Sequence, residues 1–274
     1  MTASSTPGGG STERRRAKLG PVVFDIEVDP VDPSAVAIGA EATGAAGPRS
    51  RVEPAGEPTV WLRHNRIRLA LHHLRAAHDE AVRPLLLLHG LGECTPAHPP
   101  EVVAAWPGAV WGLDFTGHGH STIPRGGGYT AEILMADVDA ALAHLGEATV
   151  FGRGLGAYVA LLIQGGRPHL VRGVVLVDGP GIVGGGIGPS APRVTTAEHS
   201  TVTPDPFALA ELTVDVRPPD YAVDYLRLAV RYSDLGEPVT LSGRVRPPWM
   251  AALDGLPGVR ALPAADALTD YATS

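Results

Sequence analysis

Residues Phe151 to Tyr158, "FGRGLGAY", make a glycine-rich corner between an apolar run, "ATVF", and a stretch of small and aliphatic residues. Corners of this kind serve two chemistries. In the pattern G-x-S-x-G the middle residue is a nucleophile held at the tip of a sharp strand-to-helix turn. In the pattern G-x-G-x-x-G/A the glycines let a pyrophosphate approach the backbone at a helix N-terminus. The tip residue here is Gly154, which has no side chain. Gly152, Gly154 and Ala157 satisfy the second pattern, and Asp178 ends the next strand, near the place of a ribose-binding acid. A dinucleotide-binding unit usually opens its domain, however, and at least four strand-like runs precede this one.

Two upstream stretches carry further signals. "LLLLHGLGE" places His89-Gly90 at the end of an apolar strand, and "LDFTGHGHST" follows the next one. With the glycine corner, in this order and spacing, they resemble the α/β-hydrolase family, over residues 59–181 closely and more loosely to about Leu262. In that family one strand ends in H-G at the oxyanion loop, the next in D-x-x-G-H-G-x-S, and the next in the nucleophile elbow. Asp114, Gly117, His118, Gly119 and Ser121 match the middle motif position for position. The resemblance implies an α/β fold with a mostly parallel central sheet, helices on both faces and a short cap.

It also implies a triad, and each expected position departs from it. The nucleophile position is Gly154. The acid position, in "LSGRVRPP" after the penultimate strand, holds Arg246, and the base position falls in "PAAD", residues 263–266. The last histidine in the chain is His199. The corner therefore reads as an elbow without its nucleophile. A similar glycine-for-serine change, followed by a like G-A-Y, occurs in the N-myc downstream-regulated family, whose members keep the fold without evident hydrolase activity.

Other residues could still do chemistry. Cys94, in the oxyanion loop, and Asp178 are the fallback catalytic candidates, although a lone thiol without a base is ordinarily inert and Asp178 reads as a turn cap. The backbone of Gly90, Leu91, Gly154 and Leu155 at a helix N-terminus, with Arg153 and Arg246 beside it, would form a ligand site favouring an anion. Both arginines could instead be solvated or paired with carboxylates. His64, His72 and His73 show no metal-ligand spacing, and His118 and His120 read as loop hydrogen-bonders, so neither a metal nor a cofactor is expected.

The elements that must position these residues are legible in the periodicity. "TVWLRH" and "IRLALHHL" alternate like a hairpin, "PLLLLHG", "AVWGLDF" and "VRGVVLVD" read as buried strands, and "PPEVVAAW" and "TAEILMADVDAALAHLG" read as helices. Helices are expected in "DPFALAEL", "DYAVDYLRLAVRYS" and "PPWMAALDGL", and strands in "PVTLSG" and "GVRAL"; the tail from Pro263 carries no clear signal. Residues 1–20 read as a disordered tail and 21–58 as an N-terminal strand, Val22 to Val28, with a Pro/Gly/Ala-rich connector. Residues 59–274 form the main domain, with a cap at about 181–234.

Composition narrows the function. With 274 residues, 44% hydrophobic and 19% charged, and a net charge of -7, the chain is ordinary for a globular protein and poorly suited to nucleic acid. One cysteine precludes an intrachain disulfide, and no apolar run is long enough for a bilayer. Asp25, Glu27 and Asp29 interrupt what an export signal would need behind Arg14–Arg16, so a cytoplasmic protein with no membrane partner is expected. The leading expectation is a non-hydrolytic pseudo-enzyme that binds a small molecule. A hydrolase or lyase for a small acyl compound with a rearranged catalytic set, and a partner-binding scaffold, remain open. The sequence does not fix the oligomeric state.

Overall fold

Leu85, Leu86, Leu87 and Leu88 form a strand in which every side chain is buried. Side chains alternate across a strand, so such a run requires apolar cover on both faces. The computed structural model describes residues 28–30, 53–64, 66–182, 197–198, 200–213 and 217–274. Among them nine strands make one sheet: β1 (Val28–Pro30), β2 (Val60–His64), β3 (Ile67–Arg75), β4 (Leu85–Leu88), β5 (Val110–Leu113), β6 (Ala148–Arg153), β7 (Val171–Val177), β8 (Val239–Leu241) and β9 (Val259–Ala261). Their spatial order is β1-β2-β3-β5-β4-β6-β7-β8-β9. β1, β2, β3 and β5 pair antiparallel, and every pairing from β5 through β9 is parallel.

Helices fill both faces, as the parallel part of the sheet demands. On one side α1 (Ala131–Leu145), α2 (Leu155–Gly166) and α4 (Pro219–Tyr232) pack over Leu86, Leu88, Val150, Val174 and Leu176. On the other, Leu85, Leu87, Phe151 and Val175 meet Val103, Trp106 and α6 (Ala264–Ala272). The central helix α2 is buried from Leu155 through Gly165, which explains its apolar composition on every side. α1 begins where Thr130 accepts the Ile133 N–H and stops at Gly146, with φ 77°.

Local differences from the sequence expectations have physical causes. "PPEVVAAW" forms only a 3-10 turn, Glu101–Val103, because Trp106 turns back into the core and Pro107 cannot continue a helix. The tail from Pro263 forms α6, whose Ala264, Ala267, Leu268 and Tyr271 line one buried stripe at helical spacing. Within the segment expected to be a cap, α3 (Pro206–Leu212) docks on the loop after β5, where Asp205 accepts from Tyr129 Oη at 2.6 Å and its own N–H donates to Gly117 O. α4 instead lies directly against α2, with Gly165 close to the Tyr225 backbone, and α5 (Pro248–Ala251) packs on α4. The 1–20 tail, most of the 21–58 segment (the expected strand Val22 to Val28 included, except for Val28), and residues 183–196, 199 and 214–216 of the cap lie outside the described residues. Among the described residues no helix is long and apolar enough to cross a membrane.

Candidate functional site

The C-terminal ends of β4, β5, β6 and β7 lie side by side, so the loops that follow them share one edge of the sheet. Ligands bind at this edge in open α/β sheets. β6 runs into Gly154 and α2 starts at the next residue. Gly154 has φ 55° and ψ -112°, a conformation costly for any residue with a side chain. Gly156 permits the close crossing of α2 over β4: a Cβ there would overlap the backbone of Leu88 and His89. The turn is thus the sharp elbow anticipated from "GRGLG", with no side chain at its tip.

The sequence-predicted residues Gly90, Leu91, Arg153, Gly154 and Leu155 come together here. Their donors converge on one atom. The Leu91 N–H and the Leu155 N–H both donate to the carbonyl oxygen of Pro180, at 2.8 and 2.9 Å. Gly154 faces the same segment, since a Cβ on it would overlap Pro180 O and the Gly179 backbone.

The arginines do not face the elbow as free cations. The Arg153 guanidinium forms a two-pronged pair with Glu93, Nε to Oε2 at 2.9 Å and Nη2 to Oε1 at 2.9 Å, and its Nη1 donates to the Asp178 carbonyl at 2.9 Å. Glu93 in turn accepts the Gly90 N–H at 3.0 Å. Arg246 pairs with Asp254 at 2.5 Å. The anion-favouring charge anticipated from these two side chains is therefore compensated by carboxylates.

The fallback catalytic candidates sit in environments that quiet them. Burial, with Asp114 and Glu93 nearby, pushes the Cys94 thiol up to about 11, so little thiolate exists at neutral pH. The Asp178 carboxylate accepts the Arg244 N–H at 2.7 Å and the Val245 N–H at 2.9 Å. It staples the end of β7 to the loop after β8. His89 is buried and uses both ring nitrogens: Nε2 accepts the Phe115 N–H at 3.1 Å, which leaves Nδ1–H to donate to Gly90 O at 2.8 Å. Burial holds the His89 imidazole below its ordinary value and that of His118 at about 3, so both are neutral at pH 7.

One cluster escaped the spacing argument. Asp114, His72 and His120 bring ligand atoms within 4.8 Å of one another. Their carboxylate is already occupied: Oδ1 accepts the Thr95 N–H at 2.8 Å, and Oδ2 accepts the His120 N–H at 2.9 Å and bonds His72 Nε2 at 3.0 Å. Burial alone would raise the Asp114 pKa, but the hydrogen bonds from His120 and His72 outweigh it and hold the carboxyl well below the usual range. The arrangement is a hydrogen-bond hub that fixes the loop after β5. His72 was findable in principle, since alternation along β3 turns it inward with Ala70. Pro180 and Glu93, which complete the elbow, also went unread; the only trace was the "DGPG" that follows β7.

A profile of the alpha/beta hydrolase family matches residues 85–274. No curated protein matches the chain. Among solved structures, the thioesterase domain from the curacin biosynthetic pathway is 16% identical over 78% of this chain and 96% of its own, with a TM-score of 0.51. A hypothetical protein of Pseudomonas aeruginosa is 18% identical over 77% of this chain and 96% of its own, with a TM-score of 0.50. The chain spans 42% of another protein of that organism, titled a probable hydrolytic enzyme, at 24% identity over 45% of this chain and a TM-score of 0.40.

Proposed function

The chain belongs to the alpha/beta hydrolase family, and from that premise we propose that it is a non-hydrolytic member, which binds a small molecule at the elbow without cleaving it. The observation that carries this reading is the elbow tip itself. Gly154 offers no nucleophile, and the two converging amides beside it hold a carbonyl of the protein. Such donors at the start of a helix polarise a carbonyl oxygen, but covalent catalysis also needs an attacking group and a base that takes its proton.

Neighbouring residues support the same reading. Where the family would place a base, β9 is separated from α6 only by Leu262 and Pro263. His89 has both nitrogens engaged, Cys94 stays protonated, and the Asp178 carboxylate holds two backbone amides. The ligand needs no cofactor or metal in this reading, and the protein works away from nucleic acid and membranes.

The test is turnover of p-nitrophenyl butyrate and labelling by a fluorophosphonate probe, for wild type, Gly154→Ser and Gly154→Ala. All three are expected to stay at background. Triad members act as a unit, so a hydroxyl restored without its base recovers little. Turnover by the wild type that disappears in Cys94→Ala or Asp178→Asn would reverse the proposal in favour of a rearranged hydrolase.

A further inference from the structure

The segment after β7 is held across the elbow at successive points. Arg153 grips the Asp178 carbonyl, Leu91 and Leu155 grip the Pro180 carbonyl, and the buried Trp249 indole N–H grips the Ile182 carbonyl at 3.1 Å. Its glycines fit closely: a Cβ on Gly179 would press on Arg153 Cγ, and one on Gly181 would overlap the Leu155 amide nitrogen. Pro180 also lies where a Cβ on Gly90 would fall, at 2.8 Å. No other carbonyl can use the Leu91 and Leu155 donors while this one is seated.

We infer that Gly179–Gly181 is a strap occupying the carbonyl-binding donors from within, latched by the Arg153–Glu93 pair, and that an external ligand binds by displacing Pro180 with a neutral amide or ester carbonyl of its own. This rests on the reading that the site binds rather than hydrolyses. The ligand class follows from the occupant and the charges. The oxygen that fits is that of a neutral peptide group, and Glu93 and Asp254 compensate the two arginines that would otherwise favour a carboxylate. The latch is the part that solution conditions reach. Arg153 and Glu93 are 47% and 33% exposed, whereas Trp249 is buried, so salt weakens the first anchor more than the second. A protein whose competent state is only partly populated shows a correspondingly weakened apparent affinity, and releasing the latch removes that deficit.

Amide hydrogen exchange on the full chain, read by NMR, tests the strap. In the wild type the Leu91 and Leu155 amides should be protected and share one protection factor once intrinsic exchange rates are divided out. In Arg153→Ala both should speed up together by roughly five- to tenfold, the scale of an exposed ion pair plus one hydrogen bond, while β4–β6 ladder amides keep their rates. Gly181→Ala should unseat the strap directly and give the same pattern; should Arg153→Ala fail to fold, Glu93→Gln breaks the latch from the other side. Butyranilide, a neutral amide, should bind several-fold more tightly to Arg153→Ala than to wild type. Its affinity for wild type alone should rise when salt goes from about 0.05 to 1 M. Sodium butyrate should compete poorly. Leu91 and Leu155 amides with unrelated protection factors, or that stay protected in the folded latch variant, would overturn the inference, as would butyrate binding better than the anilide. Ester turnover by the wild type would instead remove the non-hydrolytic reading and leave the exchange pattern intact.

Discussion

Two buried carboxyls, Asp114 and Asp137, hold the same loop and titrate in opposite senses. Asp137, on α1, accepts the Thr116 N–H at 2.8 Å and the Thr116 hydroxyl at 2.9 Å, and burial raises its pKa to about 7. A folded pKa above that of an unfolded aspartate, roughly 3.9, gives stability that is complete at low pH and is lost as pH rises toward 7. The depressed Asp114 contributes in reverse, with stability present above the unfolded value and lost as pH falls below it. Asp137→Asn can keep both bonds to Thr116, with its amide donating to the hydroxyl. Melts of wild type and Asp137→Asn between pH 4 and 8 should show the variant without the decline that the wild type suffers toward pH 7. Parallel curves would mean that Asp137 titrates as an ordinary aspartate.

At the scale of elements, the strands were the most legible part, because uninterrupted runs such as Leu85–Leu88 admit few readings other than burial on both faces. α1 was legible from its Thr130 start and Gly146 stop. α6 was not, since its stripe of two alanines, a leucine and a tyrosine has little apolar bulk, and only the β7–β8 surface it covers makes it a helix. Its anchor is Tyr271, whose hydroxyl donates to Glu237 O at 2.8 Å and bonds Thr240 Oγ1 at 3.0 Å. Tyr271→Phe should cost about 1 kcal/mol in a denaturant titration. Leu268→Ala, which empties a site 3% exposed, should cost about 2–5 kcal/mol. A Leu268→Ala loss under 1 kcal/mol would mean that α6 is loosely attached.

For the molecule as a whole, the three motifs were legible as one site because a parallel sheet brings successive strand ends to a common edge, so H-G, D-x-x-G-H-G-x-S and the glycine corner had to meet. The occupant of that meeting point was not legible. A backbone carbonyl leaves no mark on residue type, and Arg153 reads equally well as a ligand for an anion or as a partner for Glu93 until the chain is folded. The seated carbonyl also restricts which residue the elbow tip can hold. A serine placed at position 154 would bring a Cβ into the space held by Pro180 O, so it meets a steric cost before any catalytic benefit. The strap would have to leave first. Gly154 and the glycine-flanked Pro180 are therefore coupled: a side chain at the tip and the seated carbonyl exclude one another.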